Sequence, residues 1–422
     1  LTNVPVTGAA PPLQAILEHT GTFDEVLAYP VGLNRLPALR TLRTQLAARN
    51  FDLAVSLADA RGLVRSVRDW LFFKACGIPR IVGMPFRQDE LRCQPVRGTD
   101  AFEWEAERLF RRLAPLGAAS VADAALWDLR LTPAEQAGAE RLLNQHAIAT
   151  PFLALAAGTK VPAKDWGEAR WAEVVKQLAP AHADLPLVLL GSHEERAQND
   201  RLAQMWPGPV ANLAGECSPR VSAAVLTRAR LFAGVDSGPM HLAGCVGVPC
   251  VIVFSARSLP GQWHPRPGPH TILYRRPSCF GCALDECTAH GLKCLTSISV
   301  EEVVAALRAQ LAQAEESAAR ANETHASLLD RINHLQAEMS EYRGGLEEAR
   351  DLRRQLEEAQ AAAQVERAER DMAIRAAQDL ERFIEVERET AEAALARLRE
   401  DVQALLETAR KRGPVDTSEL ER

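Results

Sequence analysis

Leu231-Phe232-Ala233-Gly234-Val235-Asp236-Ser237-Gly238-Pro239-Met240-His241-Leu242-Ala243 reads as an apolar strand running directly into a helix. Pro239 falls in the first helical turn, where its missing N–H costs nothing and its fixed φ suits the helix. A strand whose carboxyl end opens a helix is half of a βαβ unit. The helix terminus offers unpaired backbone N–H groups and a partial positive charge. Gly238 lets the backbone come close, and Ser237 can donate a hydroxyl. An anionic group such as a diphosphate is well served there, with His241 one turn in. The plainer reading is a capped helix with a structural histidine.

Working outward, four further apolar runs have strand length: Leu53-Ala54-Val55-Ser56-Leu57, Phe152-Leu153-Ala154-Leu155, Leu187-Val188-Leu189-Leu190 and Cys250-Val251-Ile252-Val253-Phe254. They read as strands buried on both faces. Amphipathic segments at 170–178, 194–205 and 221–228 separate them, and this alternation predicts α/β architecture with parallel sheets. Thr132-Pro133 is a helix start, and 131–150 reads as the seam between two such sheets.

The strand ends carry further candidates. Thr159 and Lys160 follow the run ending at Ala156-Ala157-Gly158, and Lys164-Asp165-Trp166 comes just after. In an open parallel sheet the carboxyl ends line the ligand crevice, where Lys164 could neutralise a leaving phosphate. Glu194 and Glu195 end the next strand, where a carboxylate could hold ribose hydroxyls or cap the following helix. Cys279, Cys282, Cys287 and Cys294 form a C-x2-C-x4-C-x6-C cluster around His290. Tetrahedral thiolate coordination favours a structural zinc, with iron second; reduced thiols or local disulfides are the other reading.

The chain has 422 residues, about three folding units at roughly 150 residues each. Residues 301–422 hold 28 acidic and 18 basic side chains, a net of −10 out of the chain's −6, so the first 300 carry about +4. No apolar run is long enough for a membrane span and no basic block points to nucleic acid. Nine cysteines, four clustered and five scattered, fit a reducing compartment, hence the cytoplasm. Leu1-Thr2-Asn3-Val4-Pro5 reads as the end of a strand, so a segment upstream is expected.

From Ser299 and Glu302, a capping box, the sequence is helix-compatible for over 100 residues, interrupted only by Gly344-Gly345. Leu328, Ile332, Leu335, Met339, Tyr342, Leu346 and Ala349 form a heptad seam, and Leu380, Ile384, Ala391, Ala394, Leu398 and Leu405 partly resume it. This predicts a coiled coil that makes the protein a homo-oligomer. A single charged helix held by Glu/Arg pairs is the alternative.

Together these segments resemble glycosyltransferase family 9, the heptosyltransferases that build the inner core of bacterial lipopolysaccharide from ADP-heptose. The resemblance covers residues 1–310. It rests on Lys164-Asp165-Trp166, Asn212-Leu213-Ala214-Gly215, the Asp236 to Ala243 stretch, Gly247-Val248-Pro249 and Trp263-His264-Pro265, in that order. It implies the GT-B fold, two Rossmann-like domains facing a cleft, followed here by the helical coiled coil. The expected parts are 1–140 (acceptor side, incomplete at its start), 141–310 (donor side), 311–412 (coiled coil) and 413–422 (flexible tail).

By that resemblance, Lys164 and Asp236 serve catalysis. Thr159, Lys160, Lys164, Glu194, Glu195, Asn212, Asp236, Ser237, Gly238, Met240 and His241 bind the nucleotide-sugar donor. Leu57-Ala58-Asp59-Ala60-Arg61-Gly62-Leu63-Val64-Arg65-Ser66 resembles the acceptor-facing segment, with Arg61 and Arg65 toward an anionic glycan. No metal is needed, since a cation and a helix terminus can stabilise the departing diphosphate. The family's catalytic base lies on a Gly-Asp turn that precedes residue 1, and Asp59 is the weaker substitute. Gly167 departs from the family, which often has proline after the tryptophan. A lipid-linked acceptor implies peripheral contact with the inner membrane face. The alternatives are a sugar-nucleotide-binding assembly protein displayed on the coil, or transfer to a protein acceptor.

Overall fold

The computed structural model describes residues 2–4, 11–30, 36–58, 62–149, 151–363 and 370–411. Asp59, Arg61 and the tail 413–422 lie outside the described residues. Two compact units divide the chain, Leu1–Ala314 and Glu315–Arg422.

In the first half of the first unit, β1 (Thr2–Val4) pairs parallel with β2 (Ala28–Pro30), and β3 (Leu53–Val55) with β4 (Arg80–Val82). Among the described residues no strand joins the two pairs. The expectation of strands buried on both faces fails here: Val55 is 43% and Leu57 59% exposed. A small core of Leu42, Leu46, Cys76 and Ile78 holds the helices Leu36–Ala47 and Leu63–Ala75 against these strands.

The second half is one six-stranded parallel sheet. Its strands are β5 (Phe152–Ala156), β6 (Leu187–Leu189), β7 (Val210–Asn212), β8 (Ala229–Val235), β9 (Cys250–Phe254) and β10 (Thr271–Tyr274), in the order β10-β9-β8-β5-β6-β7. Read from β7, this is the dinucleotide-fold order 3-2-1-4-5-6, whose direction reverses between β5 and β8. Helices on both faces explain why β5, β6 and β9 are buried throughout. Four strands escape the apolar-run reading, β2, β4, β7 and β10, because Pro30, Arg80, Asn212 and Thr271 interrupt their short apolar runs.

The helix Pro133–Gln145 begins at Thr132-Pro133, as read, and Thr132 and Glu135 close its start as a capping box. Its Ala139 and Leu143 pack in the core under β5, so a boundary at 140 would cut through it. Arg220, 3% exposed, fastens the seam by pairing with Glu135 and donating to the carbonyls of Ile16, Leu129 and Arg130. A second strap joins the halves: Phe102 N–H donates to Pro260 O (2.7 Å) and Glu105 N–H to Gln262 O (2.9 Å).

The helix Val300–Ala363 belongs to the first unit through its first turns. Val303, Val304, Leu307 and Leu311 are at most 3% exposed and lie in the core beneath β5, β6 and β8. The first compact unit therefore runs to Ala314.

Within the second unit the helix passes through Gly344-Gly345 unbroken and ends at Ala363, and a second helix, Arg370–Lys411, follows. The helix continues through the glycines because it tolerates each of them at a cost of about 1 kcal/mol. Arg353 pairs with Glu381 (3.6 Å), and Tyr342 shares a groove with Val386, Thr390 and Ala394. These contacts run the two helices antiparallel. The heptad seam, including Ala349, Ala391 and Leu398, thereby meets a helix of its own chain.

Candidate functional site

Lys164 and Asp236 come from the two strands that flank the sheet's reversal point. The chain leaves β5 through Gly158, Thr159 and Lys160, then turns at Pro162–Lys164. Asp236 follows β8 directly. Lys164 Nζ stands 2.9 Å from Asp236 Oδ2, with side-chain exposures of 17% and 2%. A buried pair of this kind fixes the cation's direction, because leaving either charge alone in the interior costs several kcal/mol.

Ser237 precedes the helix Gly238–Cys245, and its Oγ is buried without a hydrogen-bond partner among the described residues. A buried hydroxyl that caps nothing, at a helix terminus and beside a lysine, can donate to an anion. Burial pushes the His241 imidazole down, and the Lys164 charge adds to this while Asp236 opposes it. His241 is therefore neutral near pH 7 and available as a hydrogen-bonding group.

Glu195 lies at the end of β6 and accepts from Ser192 N–H (2.6 Å). Its carboxylate packs against Gly158 so closely that any Cβ there would collide with it. Glu194 is exposed, and the Ser192 hydroxyl and its own amide hold its carboxyl below the usual range. Lys160 is exposed, and Thr159 Oγ1 accepts from Val161 N–H.

Two residues expected at the donor site turn their side chains elsewhere. Met240 is fully buried in the core, so it offers the site its backbone rather than its side chain. Asn212 uses its amide within the loop: Nδ2 donates to Arg196 O and Asp200 Oδ1, and Oδ1 accepts from Ala214 N–H. It braces the crevice. Trp166 is likewise core, edge-on to Trp171 at 5.0 Å and donating to Ile298 O. Gly167 has φ +100°, unreachable for proline, so the departure from the family reflects a different turn.

On the acceptor side Arg65 is exposed on the helix Leu63–Ala75. The sequence reading missed Arg112. Its guanidinium, buried between β3 and β4, donates to the carbonyls of Ser56, Ala58 and Gly83. No local pattern announces it, because its partners lie 29 to 56 residues away.

Cys279, Cys282, Cys287, Cys294 and His290 line one cavity together with Ala163 and Ser255, and all nine cysteines are free thiols. Leu292 N–H donates to Cys287 Sγ at 3.4 Å. Among the described residues no three Cys, His, Asp or Glu side chains gather tightly enough to hold an ion. The four cysteines of the C-x2-C-x4-C-x6-C pattern and His290 thus share one cavity.

His264 was quoted only as part of a motif, yet it feels the charge of Asp236. Its Nε2 accepts from Gly261 N–H (3.2 Å), its ring meets Phe254 edge-on, and burial pushes its pKa down to about 4. The unfolded imidazole, near 6.5, takes a proton first, so stability is present above pH 6.5 and is lost as pH falls toward 4. The melting temperature is expected to drop across that window and to drop less in His264→Gln. An identical slope in both proteins, by scanning fluorimetry, would remove His264 from the account.

Comparison with known proteins follows from this geometry. The model for "Glycosyltransferase family 9 (heptosyltransferase)" matches residues 104–290. Lipopolysaccharide heptosyltransferase 3 of Escherichia coli (strain K12) is 25% identical over 264 residues, 60% of this chain and 71% of that protein. The glycosyltransferase family 9 structure from Veillonella parvula DSM 2008 superposes with a TM-score of 0.56 at 22% identity, covering 71% of this chain and 86% of that one. That likeness shows a GT-B fold. Among the described residues no helix is long and apolar enough to cross a membrane.

Proposed function

We propose that the chain, whose residues 104–290 match glycosyltransferase family 9, is a glycosyltransferase that moves a heptose from a nucleoside diphosphate donor to a bacterial glycan. The observation that carries this reading is the Lys164–Asp236 pair across the reversal point, beside the unpartnered Ser237 hydroxyl and a helix terminus. In that frame the diphosphate lies over the terminus of the helix Gly238–Cys245. Lys164 keeps its contact with Asp236 and turns its remaining N–H bonds to the phosphate oxygens, and Ser237 donates to them. Glu195, held between the ends of β5 and β6, faces the nucleoside ribose. Thr159, Lys160 and His241 rim the same crevice.

The acceptor hydroxyl then attacks the anomeric carbon. Its oxygen forms the new bond while the bond to the diphosphate breaks, and the configuration inverts. Negative charge grows on the leaving diphosphate, and the cation and aligned N–H groups stabilise it without rearranging. The acceptor proton needs a base on the opposite side of the cleft. An inner-core lipopolysaccharide acceptor fits the relative named above. ADP release from ADP-heptose is expected only when a lipopolysaccharide inner-core acceptor is present. A coupled ADP assay showing equal release without acceptor, or none with it, would reject this assignment.

A further inference from the structure

Both backbone groups of Ala163, the residue before Lys164, are held from outside their own turn. Ser255 Oγ, on a residue 1% exposed at the end of β9, donates to Ala163 O at 2.6 Å. Ala163 N–H donates to Asp285 O at 2.9 Å. Arg257 closes the circuit: its N–H donates to Ser255 Oγ (3.3 Å) and its Nη2 to Asp285 Oδ1 (2.7 Å). Arg257 also holds the carbonyls of Ala283 and Leu284, so the cysteine-bearing segment 279–294 is tied into the same ring.

A lysine side chain has four rotatable bonds and no direction of its own; its aim is inherited from its backbone. Here Ala163, the residue ahead of Lys164, is clamped at its N–H and at its C=O by two different segments. We propose that Ser255 is a positioning residue for the nucleoside diphosphate, acting through Ala163 to aim Lys164, with Asp285 and Arg257 completing the clamp. The cavity lined by the four thiols lies against this clamp, since Ala163 and Ser255 form part of its wall. The segment therefore serves the donor site without touching the donor. This inference rests on the reading of Lys164 as a phosphate-binding group.

The test is a double-mutant cycle in the full chain, with ADP as probe and calorimetry as readout. Ser255→Ala removes one buried hydrogen bond and is expected to weaken ADP binding about 3- to 10-fold. In a Lys164→Ala background the same change is expected to alter affinity less than 2-fold, since nothing remains to be aimed. A general structural role predicts equal losses in both backgrounds, which would overturn the proposal, as would no loss in the parent. If Lys164→Ala alone leaves ADP affinity unchanged, the donor reading fails first and the clamp falls with it. Should Ser255→Ala not fold, Asp285→Ala reaches the ring from the surface, its side chain being 81% exposed. It is expected to weaken ADP about 2- to 3-fold, again only when Lys164 is present.

Discussion

Lys164→Ala is expected to lower ADP release about 10²- to 10³-fold, the range seen when one preorganised charge-stabilising donor is removed from an enzyme's active site. The same change leaves Asp236, 2% exposed, without its counter-ion, at a cost of about 3 to 5 kcal/mol in stability. These two effects can be separated. Adding Asp236→Asn removes the orphaned charge, so the double variant is expected to regain most of the lost melting temperature while turnover stays at the Lys164→Ala level. Turnover that returned with stability would mean that the pair is a structural staple. Parental turnover in Lys164→Ala would remove the lysine from the mechanism altogether.

The second large effect concerns the C-terminal helix. A chain ending at residue 314 is expected to fold and bind ADP, whereas one ending at residue 299 is expected not to fold. The difference is Val303, Val304, Leu307 and Leu311, all buried under the donor sheet. At about 1.5 to 3 kcal/mol for each fully buried aliphatic side chain, their loss is on the order of 10 kcal/mol, comparable with the whole stability of a domain. In the full chain Leu307→Ala alone is expected to cost about 2 to 5 kcal/mol, read from denaturant unfolding. A folded, ADP-binding chain ending at 299 would show that these turns only cover the sheet.

The remaining predictions bear on narrower points. The pH dependence of His264 tests whether the Trp263-His264-Pro265 turn is held neutral against the site. The Ser255 cycle tests whether the cysteine-bearing segment reaches the lysine.

Much of this protein was legible in the order of its residues. A buried parallel strand must be apolar on both faces, so β5, β6, β8 and β9 appear as unbroken apolar runs. A helix terminus open to an anion favours a small residue that exposes its backbone N–H groups, so Asp236-Ser237-Gly238 stands out. The capping boxes at Thr132 and Ser299 announce helices because their hydrogen bonds span three residues.

What the order of residues could not contain is contact at long range. Lys164 and Asp236 are 72 positions apart, and only the placement of β8 beside β5 makes them an ion pair. Ser255 meets Ala163 across 92 positions, and Arg112 finds its carbonyls across the β3–β4 pair. Met240 and Asn212 show the same limit: a motif names the residue, but packing decides whether its side chain faces crevice, core or neighbouring loop. The heptad seam announced a helical partner, and only the fold of the chain assigned that partner to residues 370–411. Local periodicity and capping arise from bonds a few residues long. The aim of a side chain is set by whichever distant segment tertiary packing brings against it.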